Sequence, residues 1–189
     1  MRISAGNLKG RKVSSVKALR FAKEGELRPT SSKVREAVFN ILREKIRGAV
    51  FIDLYAGTGA VGFEAISRGA GKVFFVESDK KRVELIRKAA ADCGCGSTAD
   101  ILKSTALDFV REATDEGLKG DVIFLDPPYH STELDDVLSL LSDGELLGEE
   151  GIIIAEHFSR KKLPDEIGKL RKKKDYKYGD TVLTLFRKE

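Results

Sequence analysis

The stretch best equipped for chemistry is Asp126-Pro127-Pro128-Tyr129, which follows the apolar run Val122-Ile123-Phe124-Leu125. A short run of β-branched and aromatic residues reads as a buried parallel strand. Open α/β sheets bind ligands at the carboxyl ends of such strands. At that end the chain presents a carboxylate, two prolines with no N–H group, and an aromatic ring. Asp126 and the Pro127 carbonyl are acceptors, and Tyr129 offers a flat face for stacking. The set suits a planar target bearing an NH2 group, one hydrogen directed to Asp126 and the other to Pro127. A tight turn with an incidental tyrosine is the competing reading of these four residues taken alone. His130, next in the chain, reads as a solvent-facing loop residue.

A second constellation lies upstream. Ala49 to Tyr55 reads as a central strand, and Ala56-Gly57-Thr58-Gly59-Ala60-Val61-Gly62 turns from it into a helix. Glycines at such a turn let the backbone approach a ligand and leave N–H groups pointing outward at a helix N-terminus. Twenty residues after Gly57, Glu77 ends the next strand, Lys72 to Val76, where a carboxylate can accept both hydroxyls of a ribose. Gly57, Gly59 and Gly62 satisfy G-x-G-x-x-G, so a nicotinamide site is an alternative. Against it, the chain has no Tyr-x-x-x-Lys pair and little room for a separate substrate domain, and Asp53 is placed to meet an ammonium group rather than a pyrophosphate.

The elements that position these residues alternate. Thr30 is the expected N-cap of a helix carrying Val34, Ala37, Val38, Ile41 and Leu42 inward and Arg35, Arg43 and Lys45 on other faces, closed by Gly48. Helices follow over Lys80–Ala91, around Phe109 to Ala113, and around Leu134 to Leu141. A third strand spans Ile101–Ser104 and a fifth Gly151–Glu156, while Arg160–Lys174 reads as a basic connection with helical character. Two last strands turn at Gly179-Asp180. Alternation of this kind predicts an α/β fold, a parallel sheet with helices on both faces and a terminal antiparallel hairpin. Residues 1–27 are expected to form a small β-rich, hairpin-like appendage turning at Gly6-Asn7, with 28–189 as the main domain.

Composition limits the rest. The 189 residues, 41% hydrophobic and 34% charged, suit one well-packed domain. Cys93 and Cys95 have no His or further Cys nearby to complete a metal site, so free thiols and no metal are expected. With no apolar leader and no membrane-length run, the chain reads as cytoplasmic. The net charge of +4 hides a segregation. Residues 1–47 hold 13 Lys+Arg against 4 Asp+Glu and residues 160–189 hold 11 against 5, while residues 48–159 hold 10 against 21. Basic ends on an acidic body suggest contact with a polyanion, solubility being the alternative. No acidic residue precedes Glu24, which leaves Arg2, Lys9, Arg11, Lys12, Lys17 and Arg20 unneutralised as candidates for the phosphates of such a polyanion, with Lys161, Lys162 and Lys172 to Lys174 behind them.

Asp53-Leu54-Tyr55-Ala56-Gly57-Thr58-Gly59, Glu77 and Asp126-Pro127-Pro128-Tyr129, in this order, resemble the seven-stranded, Rossmann-like class I S-adenosylmethionine-dependent methyltransferases that modify exocyclic or amide nitrogens. Arg2-Ile3-Ser4-Ala5-Gly6, Leu8-Lys9-Gly10-Arg11, Arg28-Pro29-Thr30 and Val34-Arg35-Glu36-Ala37-Val38-Phe39-Asn40 sharpen this. The whole chain is similar to the bacterial small-subunit ribosomal RNA guanine-N2 methyltransferase family, RsmD. The resemblance implies a monomeric enzyme that takes S-adenosylmethionine as cofactor and methylates a guanine N2 amine in 16S ribosomal RNA, either naked or within a small subunit. It implies that Asp53, Tyr55, Ala56, Gly57, Thr58 and Gly59 hold the methionine end, that Glu77 and Ser78 take the ribose, and that Thr105 and Ala106 border the adenine. Asp126, Pro127 and Tyr129 would then hold the target, with Asp126 also beside the cofactor, and Arg28 and Thr30 would shape the mouth of the site. A DNA adenine-N6 methyltransferase and a non-catalytic RNA-binding protein on the same fold are the other classes, the first disfavoured by the absence of an inserted target-recognition domain.

Overall fold

The computed structural model describes residues 2–11, 13, 31–128 and 132–189. Lys12, Lys17, Arg20, Arg28, Thr30, Tyr129 and His130 lie outside the described residues.

Eight strands form one sheet: β1 (Val50–Asp53), β2 (Lys72–Glu77), β3 (Ala99–Lys103), β4 (Gly120–Leu125), β5 (Leu147–Phe158), β6 (Glu166–Ile167), β7 (Leu170–Tyr178) and β8 (Thr181–Lys188). Their order is β3-β2-β1-β4-β5-β8-β7-β6, parallel from β3 to β5 and antiparallel beyond it. The chain winds outward from β1 toward β3, then restarts at β4 on the other side. The boundary between β1 and β4 is therefore the topological switch point, where a crevice opens at the strand ends.

Both faces of the sheet are covered. α1 (Ser32–Leu42), α2 (Ala60–Ser67) and α3 (Lys80–Cys93) share one core with Phe51, Phe75, Phe124, Ile154 and Leu183. α4 (Ala106–Asp115) and α5 (Glu133–Asp143) share the other with Ile52, Val76, Ile123, Ile153 and Phe186. Neighbouring residues of β1, β4 and β5 thus point to opposite cores, which is why these strands read as continuous apolar runs rather than alternating ones. Fully burying an aromatic or branched side chain contributes about 1.5–3 kcal/mol. Phe63 of α2 and Phe75 of β2 meet with ring centroids 4.9 Å apart.

The structure corrects three expectations. The helix N-cap is Ser31, whose Oγ accepts from the Val34 N–H at 3.2 Å; it stands in extended backbone three residues before that donor, as a cap requires. Arg35 is buried, not on an outer face. Its guanidinium donates to the Arg2 carbonyl at 3.2 Å and lies 3.6 Å from the Glu64 carboxylate. The Arg160–Lys174 connection is not helical: it contains β6 and the start of β7, which pairs with β8 from Leu170 to Tyr178. Long lysine stems sit comfortably on an outer strand. Lys172, for example, donates to the Leu163 carbonyl at 3.0 Å and pairs with Asp165 at 2.7 Å.

The N-terminal segment closes on itself, Ile3 N–H to the Arg11 carbonyl (3.1 Å) and Gly10 N–H to the Ile3 carbonyl (3.0 Å), and is seated on α2. Asn7 N–H donates to the Ser67 carbonyl at 2.8 Å and Leu8 N–H to Ser67 Oγ at 2.9 Å. Gly6 has φ +80°, and a Cβ there would lie 1.7 Å from the Ser67 carbonyl oxygen, so only glycine permits this approach. Beneath the loop, Glu64 accepts from Ser4 N–H (2.8 Å), Ser4 Oγ (2.6 Å), Ala5 N–H (3.1 Å) and Arg68 Nε (3.0 Å). The buried Glu64 carboxylate thereby joins the N-terminal segment, α1 and α2.

Candidate active site

The strand ends on either side of the switch point carry a row of carboxylates. Asp53 is the last residue of β1 and Glu77 the last of β2. Asp126 follows β4 directly, and Glu156 stands level with it on β5, one residue past the Leu125–Ala155 pair. Thr105 and Ala106 follow β3 and start α4. Across the sheet the order is Thr105 and Ala106, then Glu77, then Asp53 with the Gly57–Gly59 turn, then Asp126, then Glu156.

The turn after β1 is fixed by its neighbours. Leu54 N–H donates to the Phe124 carbonyl at 3.0 Å and Ala56 N–H to the Val76 carbonyl at 2.9 Å. Gly57 and Gly59 both have positive φ (55° and 75°), the conformation that brings the turn close beneath the strand ends. Gly62 serves packing: a Cβ there would meet the Phe75 ring at 2.2 Å. The third glycine of the G-x-G-x-x-G spacing is thus required by α2 lying on β2. Gly57 N–H also donates to Glu77 Oε2 at 2.8 Å, and Asp79 N–H donates to Oε1 at 2.9 Å. Glu77 is therefore pinned in place, and each carboxylate oxygen keeps a further lone pair for a hydroxyl donor.

Asp53 is buried, and its Oδ1 has no hydrogen-bond partner among the described residues. Burial, with Asp126 and then Glu77 adding repulsion, pushes its pKa up to about 8, although backbone N–H groups of Tyr55 and Gly62 pull the other way. Glu156 is also buried, with Oε2 unpartnered among the described residues. Burial, then the Asp126 charge, holds its carboxyl well above the usual range. A buried carboxylate without partners takes up a proton unless a cation or donor arrives.

These raised values carry a sign. A carboxyl whose folded pKa exceeds its unfolded one contributes stability that is full below the unfolded pKa and is lost as pH rises through the folded pKa. Without cofactor, stability should therefore decline as pH rises from the ordinary aspartate value of 3.8 toward 8, the range between the two Asp53 values. Asp53→Asn should shrink that decline, leaving the part due to Glu156, and be the more stable protein at pH 8 by more than about 1 kcal/mol. Urea denaturation across this range checks it; parallel profiles for the two proteins would contradict it.

Around the row, Tyr55 is half-buried and its hydroxyl donates to Glu133 Oε2 at 3.1 Å, linking the β1 turn to the first residue of α5. Burial, followed by the Glu133 charge, raises the Tyr55 pKa, so the phenol stays a donor. Ala56 and Ala106 are buried, Thr58 is half-buried, and Ser78 is exposed at the end of β2. Thr105 caps α4, its Oγ1 accepting from the Asp108 N–H at 3.2 Å and donating to Asp108 Oδ2 at 2.7 Å. Asp126 is half-buried, Pro127 buried and Pro128 exposed. Among the RNA-binding candidates, Arg2, Lys9 and Arg11 are exposed; Arg11 also donates to the Cys93 carbonyl at 3.2 Å and so holds the N-terminal loop to the end of α3. Cys93 and Cys95 are free and buried. Among the described residues no cluster of three or more His, Cys, Asp or Glu could hold a metal, and no helix is long and apolar enough to cross a membrane.

Glu156, Glu133 and Glu64 are functional or structural centres that the sequence alone did not single out. The signal for Glu156 was the one used for Asp53 and Glu77: a carboxylate closing an apolar strand, here Ile152-Ile153-Ile154-Ala155.

Comparison with known proteins bears on this geometry. Residues 1–187 match the family described as "Conserved hypothetical protein 95". The chain is 36% identical over 157 residues to ribosomal RNA small subunit methyltransferase D of Haemophilus influenzae, covering 82% of this chain and 78% of that protein. It is 33% identical over 164 residues to the protein of the same name from Escherichia coli K12, covering 87% and 78%. Among solved structures, a hypothetical protein of Thermus thermophilus aligns with a TM-score of 0.81 at 29% identity, with 99% of each chain covered.

Proposed function

This chain belongs to the Conserved hypothetical protein 95 family, and on that premise we propose that it transfers a methyl group from S-adenosylmethionine to the exocyclic N2 amine of a guanine in small-subunit (16S) ribosomal RNA. The observation that carries the reading is the order of groups along the strand ends, from Thr105 through Glu77 and Asp53 to Asp126.

That order fits the cofactor end to end. Asp53, with its unpartnered buried oxygen, suits the ammonium of the methionine moiety. Glu77, pinned by two N–H groups, suits the ribose hydroxyls, with Ser78 beside it. Thr105 and Ala106, at the start of α4, border the adenine. Tyr55 through Gly59 form the floor. When bound, S-adenosylmethionine supplies a methyl group on a positively charged sulfur, a leaving group that needs no metal.

Asp126 and Pro127 act on the acceptor. The N2 lone pair of guanine is delocalised into the ring, which makes the amine a weak nucleophile. Hydrogen bonds from its two hydrogens to Asp126 and the Pro127 carbonyl help pyramidalise the nitrogen and direct its lone pair. The contribution is orientation together with a fixed polar environment for the positive charge developing on nitrogen. Asp126 then accepts the proton that the methylated amine sheds. A neutral Glu156 spares the site a second negative charge beside Asp126. Tyr129 supplies the stacking face. The base must be flipped out or already unpaired, since a stacked and paired guanine hides N2. We place the work in the cytoplasm, as a monomer on naked RNA or on a small subunit, with Arg2, Lys9, Arg11, Lys12 and Arg28 as phosphate contacts and residues 1–27 as an accessory unit to the 28–189 domain.

The test is transfer of labelled methyl from S-adenosylmethionine to three acceptors: small subunits from cells lacking the gene, the same RNA stripped of protein, and duplex DNA. Label is expected in at least one of the RNA acceptors. Label confined to DNA, or none despite measured cofactor binding, would overturn the proposal.

A further inference from the structure

Among the described residues, Arg43 is the one non-glycine with a positive φ, at 48°. It stands where α1 gives way to a 3₁₀ turn over Arg43–Ile46, with ψ −126°. Backbone held in so sparsely populated a region is unfavourable and persists only where the surroundings impose it, so an arginine there invites a functional explanation. It lies between two hollows that share Asn40 and Arg43. One, of about 620 Å³, is lined also by Arg47 and Arg68; the other, of about 430 Å³, also by Lys174, Tyr176 and Tyr178. Arg47 pairs with Glu44 at 2.9 Å and Arg68 with Glu64, but Arg43 and Lys174 make no ion pair among the described residues. Lys174 Nζ lies 4.9 Å from the centre of the Tyr176 ring. Tyr178 is the one exposed large hydrophobic side chain among the described residues.

Uncompensated cations interleaved with accessible aromatic rings are the makings of a surface for unpaired RNA, where phosphates meet the cations and bases stack on the rings. Lysine is depleted at protein interfaces, so Lys174 set over the Tyr176 ring favours a polyanion over a protein partner. One end of the groove lies at the same edge of the sheet as the strand-end site. Tyr178 pairs with Thr181 at the tip of the β7–β8 hairpin, and Thr181 pairs with Phe158, two residues past Glu156.

We propose that the groove between the C-terminal end of α1 and the β7–β8 hairpin binds single-stranded ribosomal RNA flanking the target, with Arg43 and Lys174 on phosphates and Tyr178 under a base. This rests on the reading of the chain as an RNA methyltransferase. It adds a contact surface separate from the basic N-terminal segment and from the strand-end site.

Arg43→Gly separates the two roles of this residue, because glycine adopts the backbone conformation more readily while the guanidinium is lost. Arg43→Gly, Arg43→Gly with Lys174→Ala, and Tyr178→Ala would be compared with wild type. The measurements are thermal midpoint, cofactor affinity, methyl transfer at saturating RNA, and affinity for a small-subunit RNA fragment across salt concentrations. Arg43→Gly should melt no lower than wild type and bind cofactor normally, yet bind RNA about tenfold more weakly. The slope of log affinity against log salt should fall by about one for Arg43→Gly and by about two for the double variant. Tyr178→Ala should weaken binding with the slope unchanged. Transfer at saturating RNA should be retained throughout. Wild-type protein that methylates RNA, beside a double variant with wild-type affinity and slope, would overturn the groove alone. So would a loss seen on intact small subunits and not on naked RNA, since the groove would then meet a protein. Wild-type protein that methylates no RNA would overturn the underlying reading and the groove with it.

Discussion

Asp126→Ala should reduce single-turnover methyl transfer by roughly 10²–10³-fold, the loss typical when a fixed acceptor or donor at a developing charge is removed. Cofactor affinity should not weaken. The groups assigned to the cofactor's polar ends are Asp53 and Glu77, and Glu77 is held by Gly57 and Asp79 N–H groups that the substitution does not touch. Removing Asp126 also takes a negative neighbour away from Asp53, which lowers the Asp53 pKa and favours the ionised form that an ammonium needs. Asp126→Asn keeps an oxygen acceptor without the charge, so its rate should fall between the two. Rapid-quench transfer with pre-bound RNA, beside calorimetric cofactor titration, makes the comparison. An alanine variant within a few-fold of wild type would remove Asp126 from the chemistry.

Glu64→Ala should destabilise the protein by about 3–5 kcal/mol. Glu64 is fully buried and receives hydrogen bonds from Ser4 N–H, Ser4 Oγ, Ala5 N–H and Arg68 Nε, with the buried Arg35 guanidinium 3.6 Å away. Alanine would strand Arg35 as a buried charge and leave the Ser4 and Ala5 donors unsatisfied. Glu64→Gln keeps a polar group of the same size and should cost less. Hydrogen exchange should show residues 2–11 losing protection first in the alanine variant, because Glu64 is their anchor to α2. Burial alone would raise the Glu64 pKa, but the Ser4 hydrogen bonds and Arg68 outweigh it and set it below the ordinary 4.5. A depressed carboxylate pKa contributes stability that is present above the unfolded value and lost as pH falls through the folded one. The gap between wild type and the alanine variant should therefore narrow in acid, below pH 4.5. Urea melts with equal midpoints at neutral pH would refute the assignment.

The parallel sheet was legible because its central strands are apolar runs, and a carboxylate ends or directly follows β1, β2 and β4 and breaks the run: Asp53, Glu77, Asp126. Such punctuation records a sheet edge directly. What stayed hidden depends on pairing between distant positions. Arg35 and Glu64 each look like ordinary charges on helix surfaces, and only the approach of the Ser4 loop to α2 turns them into a buried pair. The lysines of β7 conceal a strand because their period-2 pattern is polar on both sides, and its evidence lies in β8, its hydrogen-bonding partner. Arg43 offers no sequence signal at all, since positive φ is expected of glycine.

The most direct measurement is mass-spectrometric nucleoside analysis of 16S ribosomal RNA after reaction with labelled S-adenosylmethionine, starting from small subunits of cells that lack this gene. A single labelled nucleoside is expected, N2-methylguanosine, abolished by Asp126→Ala. Label in N6-methyladenosine, in a ring-nitrogen or ribose methyl, or in any RNA with Asp126→Ala as active as wild type would contradict it.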